Sequence, residues 1–583
     1  MLVCAKNLAF WAKAFQGDVM SLRTRLILPV ILSSLAALAG CGSGTSNPVV
    51  TPPPSGGFSN SNLSGTYVFS VTGTDASGNF VTMVGTFVSD GKGNISSTGG
   101  VIDVNGSAGV VAAEAAITSG TYSVGSDGRP TGSSSAPTGL LTLQAGGNTY
   151  TFDFVLTSSE HGLITEFDTF GSASGTLDLQ SSVAQSDIDG KSFAFNFTGS
   201  SGSANSLCNF NFGTAVSAPL ATVGAFTLDS NGNISSGLED FNNNCVWTGP
   251  PNVSVSGGSV ALGSPFGTAS IASTSGGTTT TYSYDVFPID ATHLKFIEMD
   301  ANAVTVGDAF TQQSSISSGN NVFTVAGFDN SPTVGGAFTA AGIFNTDGAG
   351  TITSSSVEDI NDSFVAVTVT NITGTYSAVT AGRAQISLST FVNGNNGAAC
   401  NGCLFAAYPS SGGLQLVEID GLGTTNGVAY PQTASPTLAS GEGYGMNLSG
   451  LFLQSGGVSP NAEDDIAEFT NNNGTFGPGI IDFNGQGSVQ FKNTFQATYA
   501  ADNAVAGRGT VTPSNNGYLL TTYTVDGTTT VAVSTDPQLV ALGALVKQNA
   551  TAKSNTAAAH LSVLRAVKSA ALRAKRTPKR QSN

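Results

Sequence analysis

Histidine is almost missing from this chain: His161, His293 and His560 are the only three in 583 residues, beside two tryptophans and six cysteines. None has a second histidine or a cysteine at metal-ligand spacing, so the usual zinc sites are excluded. His161 and His293 fall in equivalent turns and read as surface turn residues. No His-Glu-x-x-His, Gly-x-Ser-x-Gly elbow or phosphate loop occurs, and the expectation is a protein without catalysis. Charge is scarce as well, at 10% of residues, with 20 Lys and Arg against 37 Asp and Glu. Residues 549–583 hold eight of the cations and no acid, and 1–41 hold four more, leaving a body with eight cations against 36 acids. Such a body repels nucleic acid and anionic lipid.

Helical periodicity is nearly absent, while 74 glycines accompany abundant Ser, Thr and Asn. That composition belongs to an all-β chain with many turns. The stretch from Gly85 through Asp90-Gly-Lys-Gly-Asn94 to Asp103-Val-Asn105 reads as a hairpin, apolar positions alternating up to a glycine turn and again beyond it. It recurs with Asp240-Phe-Asn242, with Asp359-Ile-Asn361 and, worn, with Asp482-Phe-Asn484. A unit of about 120 residues can bury its own core, unlike the short units of solenoids.

Met20 to Cys41 carries a basic start, an apolar run too short for a comfortable membrane span, and small residues before a cysteine. Leu38-Ala39-Gly40-Cys41 matches the lipobox, and in this segment the chain resembles bacterial lipoproteins. The resemblance implies cleavage before Cys41, a diacylglyceryl (and palmitate-type) anchor on its sulfur, and, with Gly42 next, the outer membrane. Met20 is then the true start, and 1–40 the signal peptide. Residues 41–62 form the lipidated cysteine and a Pro/Gly/Ser tether, followed by repeats at 63–181, 187–313, 320–433 and 444–548 and a basic Ala-rich tail at 549–583.

Repeat 1 divides into eight short runs. In the sixth, Tyr150, Phe152 and Phe154 share one face and Thr149, Thr151 and Asp153 the other. Eight consecutive antiparallel runs can close on themselves, removing exposed edges. Four tandem eight-stranded up-and-down barrels are therefore expected, similar in architecture to lipocalins and avidins, with β-sandwiches as the alternative. Gly85, Gly224 and Gly342 stand two residues before Phe87, Phe226 and Phe344, which favours tight coiling. Each repeat ends on a strand running from Gly175 to Gln180, Gly307 to Gln312, Gly427 to Gln432 or Gly543 to Gln548, and short polar links follow. The barrels should sit like beads with limited flexing.

Before each closing strand of repeats 1 to 3 stands Glu-x-Asp: Glu166 with Asp168, Glu298 with Asp300, and Glu418 with Asp420; repeat 4 has Ser534-Thr-Asp536. Together with Asp103, Asn105, Asp240, Asn242, Asp359 and Asn361, a repeat could offer four oxygens to a Ca²⁺ ion. Capping of backbone N–H groups at turns explains the same residues without a metal, and no metal or other cofactor is assigned. Four cysteines remain for an exported protein to pair, and of three connectivities Cys208–Cys245 and Cys400–Cys403 are favoured because each stays within one repeat.

The chain also resembles tandem-repeat β-rich surface lipoproteins of bacteria. The expected role is structural, adhesive or surface-binding in the cell envelope, with the bilayer as partner through Cys41 and surface glycans or other envelope polymers as further partners. A small-ligand-binding barrel is the alternative, and an extracytoplasmic hydrolase the third reading.

Overall fold

Period-two alternation becomes, in a computed structural model of the chain, antiparallel strands that pair with their sequence neighbours and close into four eight-stranded barrels. The structure describes residues 57–551 apart from 134–136, 202–217, 251, 330–335, 389–402, 435 and 454–459. Cys41, Cys208, Cys400 and the basic tail beyond residue 551 lie outside the described residues.

Barrel 1 runs from Ser64–Asp75 to Gly171–Leu179, barrel 2 from Ser192–Ser201 to Ala303–Thr311, barrel 3 from Gly319–Asp329 to Gly423–Pro431, and barrel 4 from Gly443–Phe452 to Leu539–Lys547. In each, the first strand pairs with both the second and the last, as Tyr67 does with Phe87 and Leu179. The ladder of each barrel closes on itself, and the backbone bonds that cross between barrels are confined to strand ends and links, as from the Ser411 N–H to the Thr311 carbonyl.

Two sets of glycines make this tight closure possible. Gly85, Gly224 and Gly342 lie directly across from Phe69, Phe195 and Phe323 of the first strand. A Cβ there would meet the facing ring at 2.4–2.9 Å, so the missing side chain is the space the ring occupies. In the closing strands, a Cβ on Gly175, Gly307, Gly427 or Gly543 would lie 1.8–1.9 Å from a first-strand carbonyl oxygen. Only glycine lets those strands approach so closely.

The interiors are packed with side chains. Phe69, Phe87, Phe152 and Phe154 fill barrel 1, Phe195, Phe197 and Phe296 barrel 2, Phe323 and Phe405 barrel 3, and Phe469, Phe476 and Phe495 barrel 4.

The beads expectation fails, because the outward faces are apolar as well. Barrel 1 packs on barrel 2 through Val68, Phe80 and Val84 against Phe287, Ile297 and Val306. Ala194 and Val223 of barrel 2 meet Tyr408 and Val417 of barrel 3, and Val322 and Ala341 of barrel 3 meet Tyr523 and Val540 of barrel 4. Barrel 4 then returns to barrel 1, with Ile466 and Ala544 against Val155 and Leu163. The contacts close a cycle.

Candidate functional site

The repeated polar motifs build these junctions. The Asn105 amide donates to the Glu298 carbonyl of barrel 2 at 2.6 Å, and Asn242 to the Glu418 and Gly423 carbonyls of barrel 3 at 2.8 and 2.9 Å. Asn361 donates to the Ser534 and Leu539 carbonyls of barrel 4 at 2.9 and 2.8 Å, and Asn484 to the Glu166 and Gly171 carbonyls of barrel 1 at 2.6 and 2.9 Å. Each Asp-x-Asn therefore meets the Glu-x-Asp turn of the next repeat, and the fourth meets the first. The contact uses the turn's backbone, which explains why Ser534 can replace glutamate in repeat 4. Asn242→Ala would leave two buried carbonyls without a donor, and a loss of about 1–3 kcal/mol is expected, read from the urea midpoint.

The four-oxygen set imagined within one repeat does not form. Asp168, Asp300 and Asp420 each accept two backbone N–H bonds at their own turn, from Thr151 and Phe170, Ser283 and Asn302, and Leu404 and Leu422. The asparagines present their N–H₂ groups to carbonyls, a geometry that offers a cation nothing. Among the described residues no cluster of three or more His, Cys, Asp or Glu could hold a metal ion. Glu166, Glu298 and Glu418 are buried in the barrel ends. Burial, with the neighbouring aspartate adding to it, raises Glu166 and Glu418 well above the usual carboxylate range and Glu298 to about 8. The Glu298 oxygens accept the Ala303 N–H and the Thr305 hydroxyl.

The Asp of each motif finds a cation across the junction in three cases of four. Asp240 accepts Arg383 Nε at 2.6 Å and the Tyr408 hydroxyl at 2.6 Å, and Asp359 accepts Arg508 Nε at 2.8 Å and the Tyr523 hydroxyl. Asp482 takes Arg129, which also reaches Asp153 at 3.0 Å. Barrel 2 has Ser264-Pro265-Phe266 where the others carry their arginine turn, so Asp103 faces Asp285 instead. Burial and this facing carboxylate push Asp103 to about 7; burial and Glu114 push Asp285 to about 6. The closing-strand glutamines complete the pattern. Gln180 donates to the Pro288 carbonyl, Gln312 to Gly382, Gln432 to Thr524, and Gln548 to Leu156 back in barrel 1.

His161 and His293 are not surface residues. His161 Nδ1 lies 2.7 Å from Asp178, His293 Nε2 lies 2.7 Å from Asp308, and Lys295 Nζ bonds Asp308 at 2.9 Å and stands 4.0 Å from Asp178. All five side chains are buried between barrels 1 and 2. Despite burial, these partners hold both aspartates below the usual range. Shut away from solvent at 5% exposure or less, the cluster reads as a buried ionic clasp. Cys245 and Cys403 are each disulfide-bonded, and the expected partners Cys208 and Cys400 lie outside the described residues.

Open space lies at the barrel mouths. A cleft of about 300 Å³ enters barrel 2 beside Phe241 and Tyr282, and one of about 370 Å³ enters barrel 4 beside Phe483 and Tyr518. A third, of about 350 Å³, lies among Asn321, Tyr430 and Asp526.

No family model and no curated protein matches the chain. Among solved structures, the isotype 1 transferrin binding protein B (TbpB) from serogroup B Neisseria meningitidis aligns over 68% of this chain and 82% of that chain, at 9% identity and a TM-score of 0.16. A likeness this loose carries no argument.

Proposed function

We propose that the chain is a lipid-anchored protein of the cell envelope, held through Cys41, whose four barrels form a rigid, non-catalytic scaffold for surface binding. The observation that carries this reading is the fate of the polar motifs that recur in the four repeats: their groups are engaged in joining barrel to barrel, and the barrel interiors are filled. Filled interiors weigh against a carrier of small ligands within the barrels. Burial of the paired carboxylates in junctions weighs against a hydrolase.

The placement of the chain ends supports an anchor. Asn62 donates to the Ala550 carbonyl at 2.9 Å, so the described chain enters and leaves side by side. They do so at the end of barrel 1 opposite the hairpin between Asp75 and Phe80. A tether from Cys41 and the basic tail beyond residue 551 would thus start from one place, where the tail's eight cations could meet lipid phosphates. Among the described residues no helix is long and apolar enough to cross a membrane.

Fractionation of cells expressing the chain and its Cys41→Ala variant tests the anchor. The parent should sediment with outer membranes and incorporate an alkyne-labelled fatty acid, and the variant should do neither, because stable attachment rests on buried acyl CH₂ groups at about 0.8 kcal/mol each. A variant that still sediments with membranes would remove the anchor.

A further inference from the structure

The mouths of barrels 2 and 4 share a feature that those of barrels 1 and 3 lack. Strand register makes Val104, Phe241, Ile360 and Phe483 equivalent, each following the Asp of the Asp-x-Asn motif. It likewise aligns Tyr150, Tyr282, Cys403 and Tyr518, each two residues before the partner of the Glu-x-Asp glutamate or its Ser534 replacement. The turn residue that donates its N–H to the Asp of Glu-x-Asp is Phe170, Asn302, Leu422 or Gln538 in turn. Barrel 1 thus pairs Val104 with Tyr150 and barrel 3 pairs Ile360 with the disulfide-bonded Cys403, each with an apolar residue at the lip. Barrels 2 and 4 carry a Phe–Tyr pair at the centre and an amide at the lip, and a cleft opens at each of these two mouths.

The ring centroids of Phe241 and Tyr282 are 6.1 Å apart, and those of Phe483 and Tyr518 are 6.3 Å apart. All four rings are half-buried, each lining its cleft. Around them stand uncharged donors and acceptors: Asn243, Asn302 and Ser275 in barrel 2, and Gln490, Asn516 and Gln538 in barrel 4. Aromatic rings beside amides match a pyranose, which has C–H groups on one face and hydroxyls around its rim. The described lining of the barrel 2 mouth holds no charge, and that of barrel 4 adds Glu463 and Asp536, so an anionic sugar is disfavoured.

We propose that the mouths of barrels 2 and 4 are two matched sites for neutral saccharides, each taking one or two sugar rings of a glycan. Equivalent elements make every junction in the same order, so these mouths face one common side, opposite the end where the chain enters and leaves. Two weak sites on one rigid body then bind a repeating polymer more tightly than either binds a fragment. The inference deepens the surface-binding reading and rests on it only for the identity of the polymer's location.

The test uses the full chain in detergent on an array of neutral and uronate- or sialate-bearing glycans, followed by calorimetry with the neutral oligosaccharides that bind. Asn302→Trp and Gln490→Trp block one mouth each from an exposed lip and leave the cores untouched; Phe241→Ala and Phe483→Ala remove a stacking ring. Each Trp variant should lower the number of sites from two to one, the pair should abolish binding, and each Ala variant should weaken its site by about tenfold. Thermal melts confirm that the variants fold. Binding confined to anionic glycans, no binding to any glycan, or binding unchanged in the double Trp variant would overturn the proposal. None of these outcomes bears on Cys41, whose fractionation test stands separately.

Discussion

Replacing Arg129 with alanine is expected to lower stability by about 3–5 kcal/mol. The guanidinium is fully buried, and both its partners, Asp153 and Asp482, are fully buried too. Burial works against the arginine's charge, but the two carboxylates outweigh it and raise its pKa. Removing it strands two carboxylates in a site closed to water. Arg383 and Arg508 make equivalent bonds but are 16% and 15% exposed, so their alanine variants should lose less. The junction between barrels 4 and 1 is also the one that no link in the chain spans, so contacts alone hold it. Arg129→Ala should therefore open that junction first. Hydrogen exchange should quicken at the Lys492 N–H, which bonds Asp482, while the Cys245 N–H, bonded to Thr424 across the junction of barrels 2 and 3, stays protected. An unchanged urea midpoint, or exchange that quickens equally at both amides, would refute the closed cycle.

The barrels themselves were legible because closure leaves a local mark. Period-two alternation, the Gly–Phe spacing of the second strand and the glycine of the closing strand are each properties of one repeat. The meeting of repeats left no such mark. Asp153 alternates with Phe152 and Phe154 exactly as a solvent-facing residue would, yet it is buried, because barrel 4 covers that face. The same blindness made His161 and His293 look like surface turns, and set Asp-x-Asn beside the Glu-x-Asp of its own repeat when its partner is the next one. One signal was available. In a body with only eight cations, three are arginines that follow a glycine, Gly128-Arg129, Gly382-Arg383 and Gly507-Arg508, in corresponding turns of repeats 1, 3 and 4. A scarce charge held at a fixed place in a repeat calls for a fixed partner, and the Asp of Asp-x-Asn was one of two acids repeated in all four copies, the other being the Asp168, Asp300, Asp420 and Asp536 series.

The excess of buried acids over buried cations sets a second large effect, on pH. Stability should be greatest near pH 4 and fall steadily toward pH 8. Burial leads the causes that raise Asp103 and Glu239 to about 7, Glu298 and Asp329 to about 8, and Asp285 to about 6. Unfolded, these groups titrate near 4, so between about 4 and 8 the folded chain binds more protons than the unfolded one. Their contribution is complete below the unfolded pKa and is lost as pH rises through the folded values. Glu166, Glu418 and Glu468, also raised well above the usual range by burial, act in the same direction. Asp178 and Asp308 act oppositely: held low by His161, His293 and Lys295, they contribute above about pH 4 and are lost below it. That pair fixes the acid limb, and the raised acids fix the other. Asp285→Asn removes the carboxylate facing Asp103 and should flatten the curve between pH 6 and 7, while Asp103 keeps its bond from the Glu114 N–H. Urea midpoints at pH 5, 6, 7 and 8 measure both effects. A midpoint that holds level or climbs over that range would mean that the junction between barrels 1 and 2 does not keep its two aspartates on a shared proton.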